Sequence, residues 1–411
     1  DDDDVFIARG DAGSKIKIVI SGGLGDDTYD LENGNNITVY DQRSGDNTIM
    51  NRGGARFRIN DTYENHIYDT EREPDVTKEF EIDLSYNPDL GFIPRILIGK
   101  QKLGFERNPF TSLYTIEAKY HSLTQALDLN GELHFAHIFP DWNLKVNGRL
   151  TSNNYAENFF GFGNETGELQ DFDANRIFMQ RYNAGASLYY AGEYGSSFEA
   201  GILYEGLEPD ASAALDYEGE GRVNRYGKVH AQYRYHSVDD ELYPTRGMYF
   251  NAKGFYADEL ASSQSVLGAD QQLTFWNAID NPRNLVIKTS AEAQLRFGDG
   301  IPFFQAARLG ADSGLRGYRL YRFTGQNSLV GNIDLNYKFK PLKTRIFPLR
   351  ISGFVGYDMG RVWMEDESSN TWHTGYGGGL NLGMSGIFNS GIQYFTSDEG
   401  GRLSFKFAVG F

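Results

Sequence analysis

The chain has 411 residues, including 48 glycines, 29 phenylalanines, 26 tyrosines, 11 prolines and no cysteine, and 56 acidic against 39 basic side chains give a formal charge of -17. The missing cysteine excludes disulfide scaffolds, thiolate metal sites and cysteine nucleophiles, and the acidic balance argues against nucleic-acid binding, which needs clustered Lys and Arg. No stretch approaches the roughly 20 apolar residues of a transmembrane helix, but a transmembrane β-barrel escapes that test because it alternates lipid-facing apolar with lumen-facing polar residues.

The chain opens on Asp1-Asp2-Asp3-Asp4 with neither Met nor signal peptide, so a processed or truncated product is expected. Residues 1–77 are rich in Gly, Asp and Asn. Three imperfect echoes start at Gly25, Gly34 and Gly45, each a turn followed by a short β-branched run. They predict a small periplasmic β-roll or solenoid. The run from Ser21 to Tyr29 matches one copy of the calcium-binding nonapeptide. Asp26, Asp27 and Asp46 are therefore candidate calcium ligands; a polar turn without metal is the other reading, and no other cofactor is expected. The segment 71–77 reads as a linker.

From about residue 78 apolar and polar residues alternate with period 2. Phe80, Ile82, Leu84 and Tyr86 oppose Glu81, Asp83, Ser85 and Asn87, and Leu403, Phe405, Phe407, Val409 and Phe411 oppose Ser404, Lys406 and Ala408. Sixteen strands are predicted, at 78–87, 92–105, 111–126, 127–140, 142–155, 173–190, 196–210, 227–239, 248–258, 266–280, 285–298, 327–342, 345–363, 373–385, 387–397 and 401–411. Their length, aromatic ends and alternating short and long connections favour an antiparallel transmembrane barrel over a sandwich. The last strand reads as regular, with only Gly401 and Gly410, so a weak seam is not expected.

Three connections carry motifs. The aromatic-glycine loop 159–166 reads as an anchored turn. Asp239 to Gly247, with Pro244 fixing its backbone, reads as a tight turn at the end of the barrel opposite the long loops. A connection of about 28 residues joins strands eleven and twelve and contains Leu315-Arg316-Gly317-Tyr318. Its apolar content predicts packing inside the lumen, where an Arg needs a carboxylate; Asp358 is the best candidate. A surface loop with an unpaired Arg is the alternative.

Together these segments resemble the barrel of the outer-membrane surface-antigen superfamily, which includes BamA-like and TamA-like assembly factors and two-partner secretion transporters. The resemblance covers about residues 78–411. It implies that Leu315, Arg316, Gly317 and Tyr318 form the motif of a lumen-inserted sixth loop and that Asp358 on the thirteenth strand pairs with Arg316. It also implies that Phe405, Phe407 and Phe411 form a C-terminal insertion signal. Residues 1–77 depart from the family's transport-associated repeats, and in this the chain is similar to Bacteroidota-type members that fuse a phosphoesterase or another periplasmic domain to such a barrel, although it carries no metal-phosphoesterase motif itself.

The implied function is insertion or translocation of proteins or lipids at the bacterial outer membrane. The alternatives are a plugged barrel anchoring an upstream periplasmic enzyme or binding domain, and a diffusion channel. Expected partners are outer-membrane lipid and lipopolysaccharide, unfolded barrel clients or secreted protein, and periplasmic or lipoprotein accessory subunits, with no nucleic acid. No enzyme is expected in this chain, since its histidines form no evident set with Ser and Asn.

Overall fold

A computed structural model describes residues 3–10, 16–59, 61, 76–103, 110–139, 141–167, 172–210, 222–343, 345, 348–365, 367–384 and 387–410. Most of the expected linker (71–75) and Phe411 of the expected insertion signal lie outside them. The chain divides into two units, one of residues 1–77 with 101–112, the other of 78–100 with 113–411.

In the larger unit sixteen long strands close into an antiparallel barrel. They are β1 (Val76–Asn87), β2 (Gly91–Lys102), β3 (Ser112–His121), β4 (Ala126–Phe139), β5 (Trp142–Thr151), β6 (Arg176–Ala191), β7 (Ser196–Pro209), β8 (Asn224–Val238), β9 (Arg246–Glu259), β10 (Ser265–Ala278), β11 (Leu285–Phe297), β12 (Asn327–Lys338), β13 (Pro348–Trp363), β14 (His373–Met384), β15 (Phe388–Ser397) and β16 (Gly400–Gly410). All sixteen predicted strands are present, with ends moved by a few residues. Alternation sets their facing. On β1 Ile82 and Leu84 lie open outside while Asp83 between them is buried inside; on β12 Leu329, Ile333 and Leu335 face out and Ser328, Val330 and Asp334 face in. Exposed apolar side chains on a closed barrel are the lipid-facing surface. Trp142 packs its ring near Tyr190 and Phe198, both 6.2 Å between centroids, forming part of an aromatic girdle at one rim.

The long connections 152–175, 210–223 and 298–326 share one end of the barrel, and none at the other end exceeds nine residues. That asymmetry places the loop end outside the cell and the turn end in the periplasm. The seam is made by β16 and β1, paired from Phe405↔Tyr86 to Gly410↔Glu81. Its six pairs are fewer than in the longest described ladders, such as the thirteen of β8 with β9.

The smaller unit holds two three-stranded parallel sheets. Val5–Ala8, Thr28–Leu31 and Thr48–Asn51 form one; Ile18–Ser21, Ile37–Asp41 and Arg56–Ile59 form the other. Successive strands alternate between the sheets, so each glycine echo is half a coil. Tyr29, Leu31, Ile37, Val39 and Ala55 are the buried core between them.

Candidate functional site

The connection 298–326 carries four arginines against two aspartates. It folds back on itself, pairing Ala307–Leu309 with Phe323–Gly325, and drives its apolar residues into the lumen. Phe303 and Phe304 join Tyr155, Phe159, Met179 and Tyr226 in one buried cluster. Leu309, Leu315, Tyr318 and Phe323 join Val330 of β12 and Val362 of β13 in a second. The stretch 159–166 packs on this plug, with the Gly163 amide donating to the Thr324 carbonyl at 2.8 Å.

Each arginine then finds its own acceptor. Arg316 is gripped by Asp358 of β13: its Nε donates to Oδ1 and Oδ2 at 3.1 and 3.0 Å, Nη2 to Oδ1 at 2.5 Å, and its backbone amide to Oδ2 at 3.0 Å. Nη2 also reaches Asp334 of β12 at 2.7 Å. Asn332 donates to both Asp358 (2.7 Å) and the Gly314 carbonyl (2.6 Å). The guanidinium lies 4.0 Å over the Phe395 ring, a further cation–π attraction. Asp358 is fully buried, so its charge depends on these partners.

Gly317 and Tyr318 complete the motif. A Cβ on Gly317 would stand 2.8 Å from the Thr396 carbonyl oxygen, so only glycine lets the loop pass this close to β15. The Tyr318 hydroxyl donates to Asp398 at 2.7 Å and to the Thr374 carbonyl at 3.2 Å. Leu315 is buried completely. The predicted residues Leu315, Arg316, Gly317, Tyr318 and Asp358 are thus brought together.

Other anchors carry no signal in the motif. Arg308 pairs with Glu157 at 2.6 Å, and Glu157 also pairs with Arg181 of β6. Arg181 meets Glu205 of β7 at 2.8 Å, and Glu205 meets Lys228 of β8 at 2.5 Å. Arg319 pairs with Asp89 at 2.8 Å and Arg322 with Glu399 at 2.7 Å. The one available clue was the loop's net positive charge in an acidic chain.

At the periplasmic end the turn 239–245 is more than a tight turn. It reaches across the lumen mouth, where Arg350 of β13 donates to Asp240 at 3.0 Å and the Tyr243 hydroxyl donates to the Arg350 carbonyl at 3.1 Å. Gly247 closes it at φ +147°. Asp239 caps the turn: burial pushes its carboxyl up, but the Thr245 hydroxyl and the Thr245 and Arg246 amides outweigh that and hold it down at about 2. Leu242 projects between two cavities. One of about 220 Å³ is lined by Lys288, Lys338, Trp276 and several asparagines. The other, about 460 Å³, is lined by Glu79, Glu81, Asp83, Arg95 and Lys406.

The remaining candidates lie apart. Phe405 stacks on Tyr86 at 5.8 Å across the seam, and Phe407 faces outward, 6.3 Å from Phe388. In the roll, Asp26 Oδ1 accepts the Asp46 amide and Asp27 Oδ1 the Asp4 amide, both at 2.8 Å. These aspartates form a ladder of amide acceptors between coils. Among the described residues no three His, Asp or Glu side chains are placed to share an ion. Burial pushes the Asp27 carboxyl up; the Asp4 amide opposes this, and Asp41 adds to it. In the lumen Ser187 and Glu199 both approach Nε2 of His230, at 3.4 and 3.5 Å. A hydrolytic triad needs the carboxylate on the other ring nitrogen, so this set does not have that geometry.

No protein-family model and no curated protein matches the chain. Solved structures with the same fold include BamA from Haemophilus ducreyi lacking POTRA domains 1-3, with TM-score 0.59 and 13% identity over 88% of this chain and 74% of that one. CdiB from Escherichia coli gives TM-score 0.58 and 13% identity over 88% of this chain and 66% of that one. CdiB from Acinetobacter baumannii gives 0.54 and 11% over 82% and 60%. The chain therefore spans less than two thirds of either CdiB chain, and it shares the fold of BamA and CdiB.

Proposed function

We propose that this chain inserts proteins into, or translocates them across, the bacterial outer membrane, with residues 1–77 on the periplasmic side. The observation that carries the reading is the Arg316–Asp358 lock, which fixes a long loop inside the lumen of a barrel closed by a short seam. A passive pore gains nothing from such a plug. A barrel whose β1 and β16 must part gains a brace that keeps the rest of the wall in shape. Parted strands expose rows of unpaired amides and carbonyls, which template an incoming strand. The clients are then unfolded barrel proteins or secreted chains, and accessory subunits would dock from the periplasm. The test is reconstitution of the full chain in liposomes with a urea-unfolded outer-membrane barrel. Client acquiring protease resistance several-fold faster than in protein-free liposomes supports the reading, and equal rates contradict it.

Occlusion of the lumen from both ends, by 298–326 and by 239–245, favours a second reading, a plugged anchor for a periplasmic domain. Depletion separates the two: outer-membrane barrel levels fall under the first and stay constant under the second.

A further inference from the structure

We propose that Asp89 clamps the seam at its extracellular end, so that β1 and β16 part from the periplasmic end upward. The inference deepens the proposed function and rests on that reading for the seam's role, though its geometry stands alone.

At the extracellular end the ladder stops early. The last described pair is Phe405↔Tyr86, yet β16 continues outward to Gly400 while β1 ends at Asn87. Side chains close this gap. Asp89, 1% exposed in the turn after β1, takes Arg402 of β16 at 2.7 Å on Oδ2 and Arg319 of the lumen loop at 2.8 Å on Oδ1. Its Oδ2 also accepts the Leu320 amide at 2.9 Å, and its carbonyl accepts Arg176 at 2.7 Å. One carboxylate thereby joins both seam strands to the loop. The same loop holds the β15–β16 hairpin, since Ser397 donates to the Gly317 carbonyl at 2.9 Å, Tyr318 to Asp398 and Arg322 to Glu399. Buried charge-assisted bonds of this kind are the strong ones.

Among the described residues the periplasmic end has none of this. Val409↔Ile82 and Gly410↔Glu81 pair there by backbone, and behind them lies the cavity of about 460 Å³. Arg95 is taken up by Glu81, Asp83 and Glu117, all on β1 and β3, so it ties β1 to its own side of the wall. Within the ladder itself Lys406, opposite Ser85, reaches Asp83 across the seam at 3.8 Å, with the lysine 65% exposed. An exposed, long pair contributes little, and Asp83 Oδ1 is buried without a hydrogen-bond partner. Local opening starts where few buried contacts oppose it.

The chain has no cysteine, so spin labels can be placed cleanly in the full chain in lipid nanodiscs. One labelled pair is Ile82→Cys with Val409→Cys; the other is Tyr86→Cys with Phe405→Cys. The second removes the Tyr86–Phe405 stack, a bias against the proposal. The expected result is a long-distance population at least about tenfold larger at the periplasmic pair. Asp89→Asn should raise the population at the extracellular pair about tenfold, and Asp89→Glu should restore it. Arg402→Gln, which removes only the cross-seam bond, gives the same reading if Asp89→Asn does not fold. Equal opening at both pairs, opening at neither, or no response to Asp89→Asn and Arg402→Gln overturns the proposal. Seam opening from below without client insertion would instead overturn the proposed function and leave this inference standing.

Discussion

The two halves of the lumen are built on opposite plans. The extracellular half is filled: two apolar clusters and four loop arginines, each with a carboxylate, leave a packed plug. The periplasmic half is spanned by a single turn that leaves two cavities, one whose lining includes two lysines and four asparagines and the other whose lining includes three carboxylates beside Arg95 and Lys406. Strand pairing alone does not distinguish them, since the β-ladder runs through both. What differs is what stands behind the strands. The wall is braced where side chains cross the lumen, and freedom to move is left where they do not.

The largest effect should come from unlocking the filled half. Arg316→Ala leaves fully buried Asp358 without its cation, at a cost of about 3–5 kcal/mol to loop docking. Limited proteolysis should then cut within 298–326, where the unaltered chain resists. Next, Tyr243→Ala removes the ring that bridges the periplasmic mouth through its bond to the Arg350 carbonyl and widens the cavity of about 220 Å³ that it lines. It should raise bilayer conductance several-fold over a small baseline, and an unchanged conductance would show that the turn does not limit passage.

A smaller effect is expected from pH at the same turn. Asp239 is held at about 2, below its ordinary 3.8. Its contribution is present above pH 3.8 and lost as pH falls toward 2, so acid should speed hydrogen exchange at the Thr245 and Arg246 amides. The smallest effect lies in the roll and has the opposite sign. The raised carboxyl of Asp27 favours the folded state below its ordinary 3.8, and that contribution is lost as pH rises through the folded value. Asp27→Asn should therefore slow hydrogen exchange across 28–41 at pH 8 and change little at acid pH.

Much of this was legible in the sequence, for identifiable reasons. A lumen-facing residue next to a lipid-facing one repeats with period 2, which is why sixteen strands could be read from alternation alone. Arg316 and Asp358 were legible because an arginine in an apolar loop demands a carboxylate. Asp89, Glu157 and Asp334 were not, because each looks like an ordinary polar residue until distant strands are closed into a ring. The turn at Tyr243 was read as tight and local, since nothing in Pro244 or Gly247 reveals that Arg350, more than a hundred residues later, stands across from it. In the roll, Asp26, Asp27 and Asp46 matched a ligand pattern, but the Asp26 and Asp27 carboxylates also accept amides from neighbouring coils, Asp46's among them, a use the pattern cannot tell from metal binding.

The central claim is that β1 and β16 must separate for this barrel to work. A disulfide between Ile82→Cys and Val409→Cys, set in an otherwise cysteine-free chain, tests it in the liposome client assay. The account predicts that the oxidised protein leaves client folding at the rate of empty liposomes and that reduction restores it. Client folding at the full rate with the seam locked would contradict it.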